Sequence, residues 1–205
     1  MYVPRPFQPG AQSAAALVRE LVVGHLVTAT ATGPLATFVP WVVDLERGVL
    51  LGHIARANPQ WRTPWTGRAL VISENANGYV SPSWYATKAE TGRVVPTWDY
   101  VALQIHGELT VHDDPTWVRD VVHRLTERHE SVRPAPWRVE DAPADYLEMQ
   151  LRAIVGVEVR IEAIEAAEKL SQNKSEADAA GVVTGFAADG HTVLSELVRR
   201  ATTER

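Results

Sequence analysis

Ten consecutive residues, Gly52-His53-Ile54-Ala55-Arg56-Ala57-Asn58-Pro59-Gln60-Trp61, bring a cation, two amides, an imidazole and an indole into one short stretch. Arg56 offers a planar fork of donors suited to phosphate. Asn58 and Gln60 can each donate and accept toward the edge of a heterocycle, and Trp61 presents a ring for stacking or packing. The apolar run Val49-Leu50-Leu51 comes just before, so these groups emerge where a strand leaves a sheet. A polar turn, with Pro59 ending the strand and Arg56 solvated, has the same composition. The stretch alone does not separate a binding loop from a turn.

Three further clusters have chemical potential. Tyr79-Val80-Ser81-Pro82-Ser83-Trp84-Tyr85 sets hydroxyls and aromatics at a strand end, and Val95-Pro96-Thr97-Trp98-Asp99-Tyr100 leads into another strand. Lys169-Leu170-Ser171-Gln172-Asn173-Lys174 pairs two cations with three hydrogen-bonding side chains just before a helix start, the makings of an anion cradle. Each also has a structural explanation. Trp84, Tyr85 and Trp98 suit a core or an interface, and lysines flanking a turn are commonly solvated. The seven histidines, at 25, 53, 106, 112, 123, 129 and 191, show no metal-ligand spacing. No nucleophile elbow, P-loop or Rossmann fingerprint occurs.

Short strands are expected to position these clusters. The spacing of Leu17, Val18, Leu21 and Val22 predicts a helix over 11–23, with Gly24 as its C-terminal cap. Strands are expected at 25–31, 35–44, 49–54, 69–74, 78–84 and 95–112, linked by turns at 32–34, 46–48 and 75–78. Such short links imply antiparallel pairing. Val101, Leu103, Ile105, Leu109 and Val111 alternate with polar residues, which gives a long strand with one buried face, bent at Gly107. Asp113-Asp114-Pro115 opens a helix, a short one follows near 144–152, and a strand returns over 154–164. Ser175 starts another helix, and Leu194, Leu197 and Val198 mark a last amphipathic one. The fold class is mainly β with peripheral helices, an antiparallel barrel that closes its own edges.

Composition limits the partners. Of 205 residues, 45% are hydrophobic and 22% charged, as in ordinary globular domains. The net charge of −5 argues against a general nucleic-acid binder. There are no cysteines, so disulfides and thiolate chemistry are excluded. Neither a signal-peptide core nor a membrane-length apolar run is present, and a cytoplasmic protein without membrane partners is expected.

Taken in order, Tyr2-Val3-Pro4 with Phe7, GHIARANPQW, YVSPSWY, VPTWDY running to Gly107, and KLSQNK resemble the PaiB family. That family comprises FMN-binding negative transcriptional regulators related to the pyridoxamine-phosphate-oxidase-like split barrel. The likeness runs from Met1 to about Val183, and its ARANPQW and SQN words are the specific ones. It implies a six-stranded antiparallel split β-barrel over residues 1–183 and a homodimer with FMN in a cleft built by both subunits; beyond it, the amphipathic pattern is expected to give a helical tail over 184–205. Carried onto this sequence, it implies FMN contacts from His53, Ala55, Arg56, Ala57 and Asn58, with Arg56 on the phosphate. It implies further contacts from Thr97, Trp98 and Asp99, and from Lys169, Ser171, Gln172 and Asn173.

Two positions depart from the family pattern. Position 99, commonly Asn, is Asp99, which accepts but cannot donate once ionised and is expected to face Arg56 or solvent. Position 174, often Arg, is Lys174, which keeps the charge without the fork. The resemblance implies a negative transcriptional regulator acting through flavin or a small molecule, direct DNA binding being opposed by charge. The alternative is a flavin-dependent oxidoreductase of the pyridoxamine-phosphate-oxidase-like class, which needs no acid–base pair of its own. A third reading is another planar ligand such as haem, with His53 or His106 as its ligand.

Overall fold

The architecture follows from three strands of 16 residues, β5 (Trp65–Val80), β6 (Thr97–His112) and β7 (Ile154–Lys169), in a computed structural model that describes residues 1–203. Arg205, which extends the basic cluster of Arg199 and Arg200 in the sequence, lies outside the described residues. Four shorter strands complete the sheet: β1 (Val23–Thr30), β2 (Gly33–Pro40), β3 (Val42–Asp44) and β4 (Val49–Ala55). Their order is β2-β1-β5-β6-β7-β4-β3, with antiparallel pairing of β1 with β2 and β5, and of β4 with β3 and β7.

The two ends of that order are consecutive in the chain. The expected strand 35–44 breaks into β2 and β3 at Pro40–Trp41, so the sheet has seven strands where six were expected. Proline has no ladder N–H to donate, which favours a switch at this point. Trp41 is fully buried, and its N–H bonds the carbonyl of Val22 at 2.8 Å. With β2 on one edge and β3 on the other, one residue joins both edges and the sheet curls on itself as a barrel must.

Two other expectations fail for related reasons. The turn expected at Asn75-Ala76-Asn77-Gly78 is strand, so 69–74 and 78–84 merge into β5, which ends at Val80. The pairing available to a long strand outweighs local turn chemistry there. Gly24 does not cap the first helix, since α1 stops at Arg19 (Ala11–Arg19) and Gly24 lies in β1. A Cβ at Gly24 would come within 2.9 Å of the Ile72 carbonyl, so glycine serves a close strand approach.

The other helices fall as expected, apart from a short α2 (Thr87–Thr91). Asp114 caps α3 (Pro115–Glu130) by accepting from Thr116 N–H at 2.9 Å. Then come α4 (Ala144–Arg152), α5 (Glu176–Ala188), which Ser175 caps, and α6 (Thr192–Thr203). No described helix is long and apolar enough to cross a membrane.

The chain divides into two compact units, one of residues 16–73 and 104–164, the other of 1–15, 74–103 and 165 onward. In the first, Val121 and Leu125 of α3 pack on Val42, Val49 and Leu51, with Trp117 beside them. In the second, Phe186 of α5 is fully buried and meets Trp84 edge-on at 5.2 Å between ring centroids.

Candidate functional site

In the first unit, His53, Ala55 and Arg56 are set by the end of β4. Its register against β7 pairs His53 with Gly156 and Ala55 with Ile154, and Arg56 N–H continues the ladder to the Ala153 carbonyl at 2.8 Å. The Arg56 guanidinium then folds back on the same turn. Its Nε donates to the Arg152 carbonyl at 2.7 Å, and its Nη2 to the Asp113 carboxylate at 2.6 Å and the Ile154 carbonyl at 3.2 Å. Nη1 makes no hydrogen bond to the described residues. Asp113 and Arg56 shift each other's titration through this bond, the acid downward and the base upward. Burial pushes the His53 imidazole below its ordinary value, so at neutral pH it is an uncharged group.

The rest of the opening stretch is spent largely on itself. Asn58 caps a 3₁₀ turn over Pro59–Trp61 by accepting from Gln60 N–H at 2.9 Å, and donates to Thr37 Oγ1 at 2.7 Å. Gln60 is buried, accepting from Thr37 at 2.5 Å and donating to the Leu26 carbonyl and Thr28 Oγ1, each at 3.1 Å. Trp61 anchors its indole N–H on the Arg56 carbonyl at 3.0 Å, and the Arg62 guanidinium lies 4.3 Å from its ring centroid. Ala55 and Ala57 are exposed.

The second unit gathers the remaining candidates around the start of β6 and the end of β7. Asp99 is fully buried, which overturns its expected solvent exposure. Its Oδ2 accepts from Ser171 Oγ at 2.7 Å, and its Oδ1 lies 3.8 Å from Lys169 Nζ. Lys169 also donates to Thr97 Oγ1 at 2.7 Å and to the Trp98 carbonyl, and its ammonium sits 5.7 Å from the Phe7 ring centroid. Burial is the largest influence on both partners, raising the Asp99 carboxyl and lowering the Lys169 ammonium. Gln172 closes the turn, accepting from Leu170 N–H at 2.7 Å and donating to the Glu168 carbonyl, while Asn173 is exposed. The Trp98 indole is 53% exposed and meets Tyr79, itself 49% exposed, edge-on at 6.4 Å.

Each unit thus assembles one group of candidates: His53 to Asn58 in the first, Thr97 to Asp99 with Lys169 to Asn173 in the second. Sequence reasoning missed Asp113, the acid on Arg56, because 57 residues separate the two and nothing local links them. Tyr85, which the sequence marks as one aromatic of the 79–85 cluster, is buried, its hydroxyl has no hydrogen bond among the described residues, and its titration is pushed up to about 12 by burial and by Asp99 and Asp178. The side of the strand on which Asp99 falls was legible. Counting back by two from Val101 puts residue 99 on the buried face.

Comparisons with known proteins identify the family and the fold. Residues 1–163 match a family described as "Putative FMN-binding domain". Protease synthase and sporulation protein PAI 2 of Bacillus subtilis is 32% identical, with 89% of this chain and 87% of that protein covered. A conserved hypothetical protein of Mycobacterium tuberculosis, Rv2991, superposes with a TM-score of 0.55 at 14% identity, over 82% of this chain and 91% of that one. An FAD and heme binding protein of Mycobacterium smegmatis gives 0.55 at 15% identity, over 78% of this chain and 71% of that one. At such identities the two structures speak for the fold alone.

Proposed function

The chain belongs to the PaiB family of FMN-binding split barrels, and on that premise we propose that it is a flavin-dependent regulator in which Arg56 receives the FMN phosphate. The cofactor of the family is FMN. The donor chemistry of this chain suits it: a guanidinium for the phosphate, the Thr97 hydroxyl, and an exposed indole at Trp98 for a planar ring. When bound, FMN supplies redox chemistry of its own, and the protein supplies position and electrostatics.

Arg56 carries the reading. Two backbone carbonyls and one carboxylate hold its fork in place, and among the described residues Nη1 makes no hydrogen bond. A cation already immobilised, with a donor edge to spare, binds phosphate at little further cost in side-chain entropy. Ala55 and Ala57 flank it with no bulk beyond a methyl. His53, Trp98, Thr97, Lys169 and Asn173 complete the proposed contacts. Asn58, Asp99, Ser171 and Gln172 act behind them by fixing the loops.

The protein acts as a homodimer in the cytoplasm, with residues 1–183 carrying the cofactor and the helical tail, described as far as Thr203, contributing packing. Regulation passes through flavin or a small molecule rather than through direct DNA contact, because a chain of net charge −5 meets repulsion from the phosphate backbone.

The test is the visible spectrum of the purified protein, followed by titration with FMN read by flavin fluorescence. Flavin absorbance or saturable quenching is expected, and a colourless protein that ignores FMN would end the flavin reading. Rapid reduction by NADH or NADPH with turnover would replace the regulator by the oxidoreductase. Salt-dependent retardation of a promoter fragment would restore direct DNA binding.

A further inference from the structure

The ammonium of Lys169 donates to Thr97 Oγ1 at 2.7 Å and to the Trp98 carbonyl, and the Asp99 carboxylate faces it as a counter-charge, with Oδ1 at 3.8 Å, beyond hydrogen-bond reach. The rings of Phe7 and Tyr100 stand 5.7 and 6.0 Å away. Lys169 is therefore a cation with two hydrogen-bond acceptors and a counter-charge within its own unit. Asp99 is the only charged member of that oxygen set, and it is fixed: fully buried and bonded at Oδ2 by Ser171 Oγ at 2.7 Å. Ser171 itself is held at φ 56°, a backbone conformation that residues other than glycine seldom adopt. The chain keeps an unusual turn in place, and that turn supplies a hydroxyl to this carboxylate.

We propose that Asp99 determines how strongly FMN is held, by keeping Lys169 to itself while ionised and releasing it when neutral. The proposal rests on the flavin reading above and adds a regulatory residue to it. An ionised Asp99 both engages the ammonium and sets a negative charge beside any anionic group that approaches it. A neutral side chain at 99 keeps the Ser171 bond and gives up the ion pair. Lys169 is then free to donate to an acceptor oxygen of FMN.

The charged and titratable groups facing Asp99 are Lys169 at the end of β7, Lys174 in the following turn, and Tyr85, whose own titration Asp99 and Asp178 both raise. Burial works against ionisation of Asp99, which brings its neutral form closer to working pH than for an exposed acid. FMN affinity should thus rise as pH falls through the Asp99 transition. Protonation of the FMN phosphate, near pH ~6, pulls the other way and is common to all variants.

The experiment compares FMN titrations of the full chain and of Asp99→Asn across the mildly acidic to mildly alkaline range. The variant is expected to bind about tenfold tighter at neutral pH and to lack the tightening on acidification. Equal affinities at every pH would overturn the proposal. Lys169→Met gives an independent arm: with no ammonium to release, adding Asp99→Asn in that background should leave FMN affinity unchanged at every pH. A gain from Asp99→Asn that persists without the ammonium would show that Asp99 acts on FMN without Lys169, which overturns the proposal too.

Acylation of Lys169 in the cofactor-free proteins, read by peptide mass spectrometry, needs no flavin. Without its counter-charge the ammonium gives up its proton more readily, so Asp99→Asn should label faster at neutral pH. Unchanged labelling would show that Asp99 does not restrain Lys169. If neither protein takes up FMN while labelling still accelerates, the flavin reading fails and the restraint stands. That result would overturn only the cofactor arm.

Discussion

The Arg56 guanidinium donates to the Asp113 carboxylate at 2.6 Å, and the same Nη2 reaches the Ile154 carbonyl at 3.2 Å. One side chain thereby ties the end of β4 to the turn before β7 and to the residue just ahead of the α3 cap. Its dual role separates two substitutions that would otherwise look alike. Arg56→Ala removes both the phosphate donor and the tie, so FMN affinity should fall by about tenfold to a hundredfold, roughly 1.4 kcal/mol per decade. Asp113→Asn leaves the carbonyl bonds in place and frees the cation, so affinity should hold or rise. Fluorescence titration of both variants checks the pair.

The pH dependence of stability should show two opposite signatures. Arg56 holds the Asp113 carboxyl below its ordinary value, so its contribution is complete above the unfolded value, near ~4, and is lost as pH falls through the lower folded one. Asp99 is the reverse case. Its folded value is raised by burial, so the folded state binds the proton more readily and stability declines as pH rises from the unfolded toward the folded value. Melting temperatures of the cofactor-free protein should therefore drift down across that interval, and Asp99→Asn should flatten the drift.

Gln60 is buried with both ends of its amide in use, toward Thr37 and toward Leu26 and Thr28. Gln60→Ala leaves the buried Thr28 hydroxyl and the Leu26 carbonyl without this donor, together with a cavity. A loss of about 2–4 kcal/mol is expected. Denaturant unfolding measures it. A Gln60→Ala protein that stays folded should still bind FMN with close to parental affinity, since the side chain faces the fold.

Gly181 of α5 lies against the backbone of Trp84 so closely that an added Cβ would collide with its carbonyl. Gly181→Ala should push α5 off Trp84 and lower stability by several kcal/mol, in the range of severe core substitutions. Ala180→Ser, on an exposed neighbouring position, should leave melting within about 0.5 kcal/mol of the parent. Thermal unfolding of the two variants tests the packing of α5 on Trp84.

Much of this protein was legible in its residues alone. The odd-numbered alternation through Val101, Leu103 and Ile105 defined β6, and the acid–acid–proline order at 113–115 defined the start of α3, because local sterics and dipoles decide both. The two loops that carry the candidate contacts were legible as well, since cations and aromatics at strand ends stand out against a regular pattern. Turn chemistry misled at 75–78, where a ladder satisfied the backbone that the side chains had marked for a bend.

What no single stretch could decide was which partner each charged group takes. Arg56 and Asp113 lie 57 residues apart, and Ser171 reaches Asp99 across 72, so these contacts exist only after the strands have registered. Closure of the sheet through Trp41 and burial of a carboxylate likewise depend on which strand lies beside which. The sequence determined the elements and the donors, because sterics and periodicity act within a few residues. The tertiary structure decided how freely those donors can be used, because a charge is set by its neighbours in space and by the water it has lost.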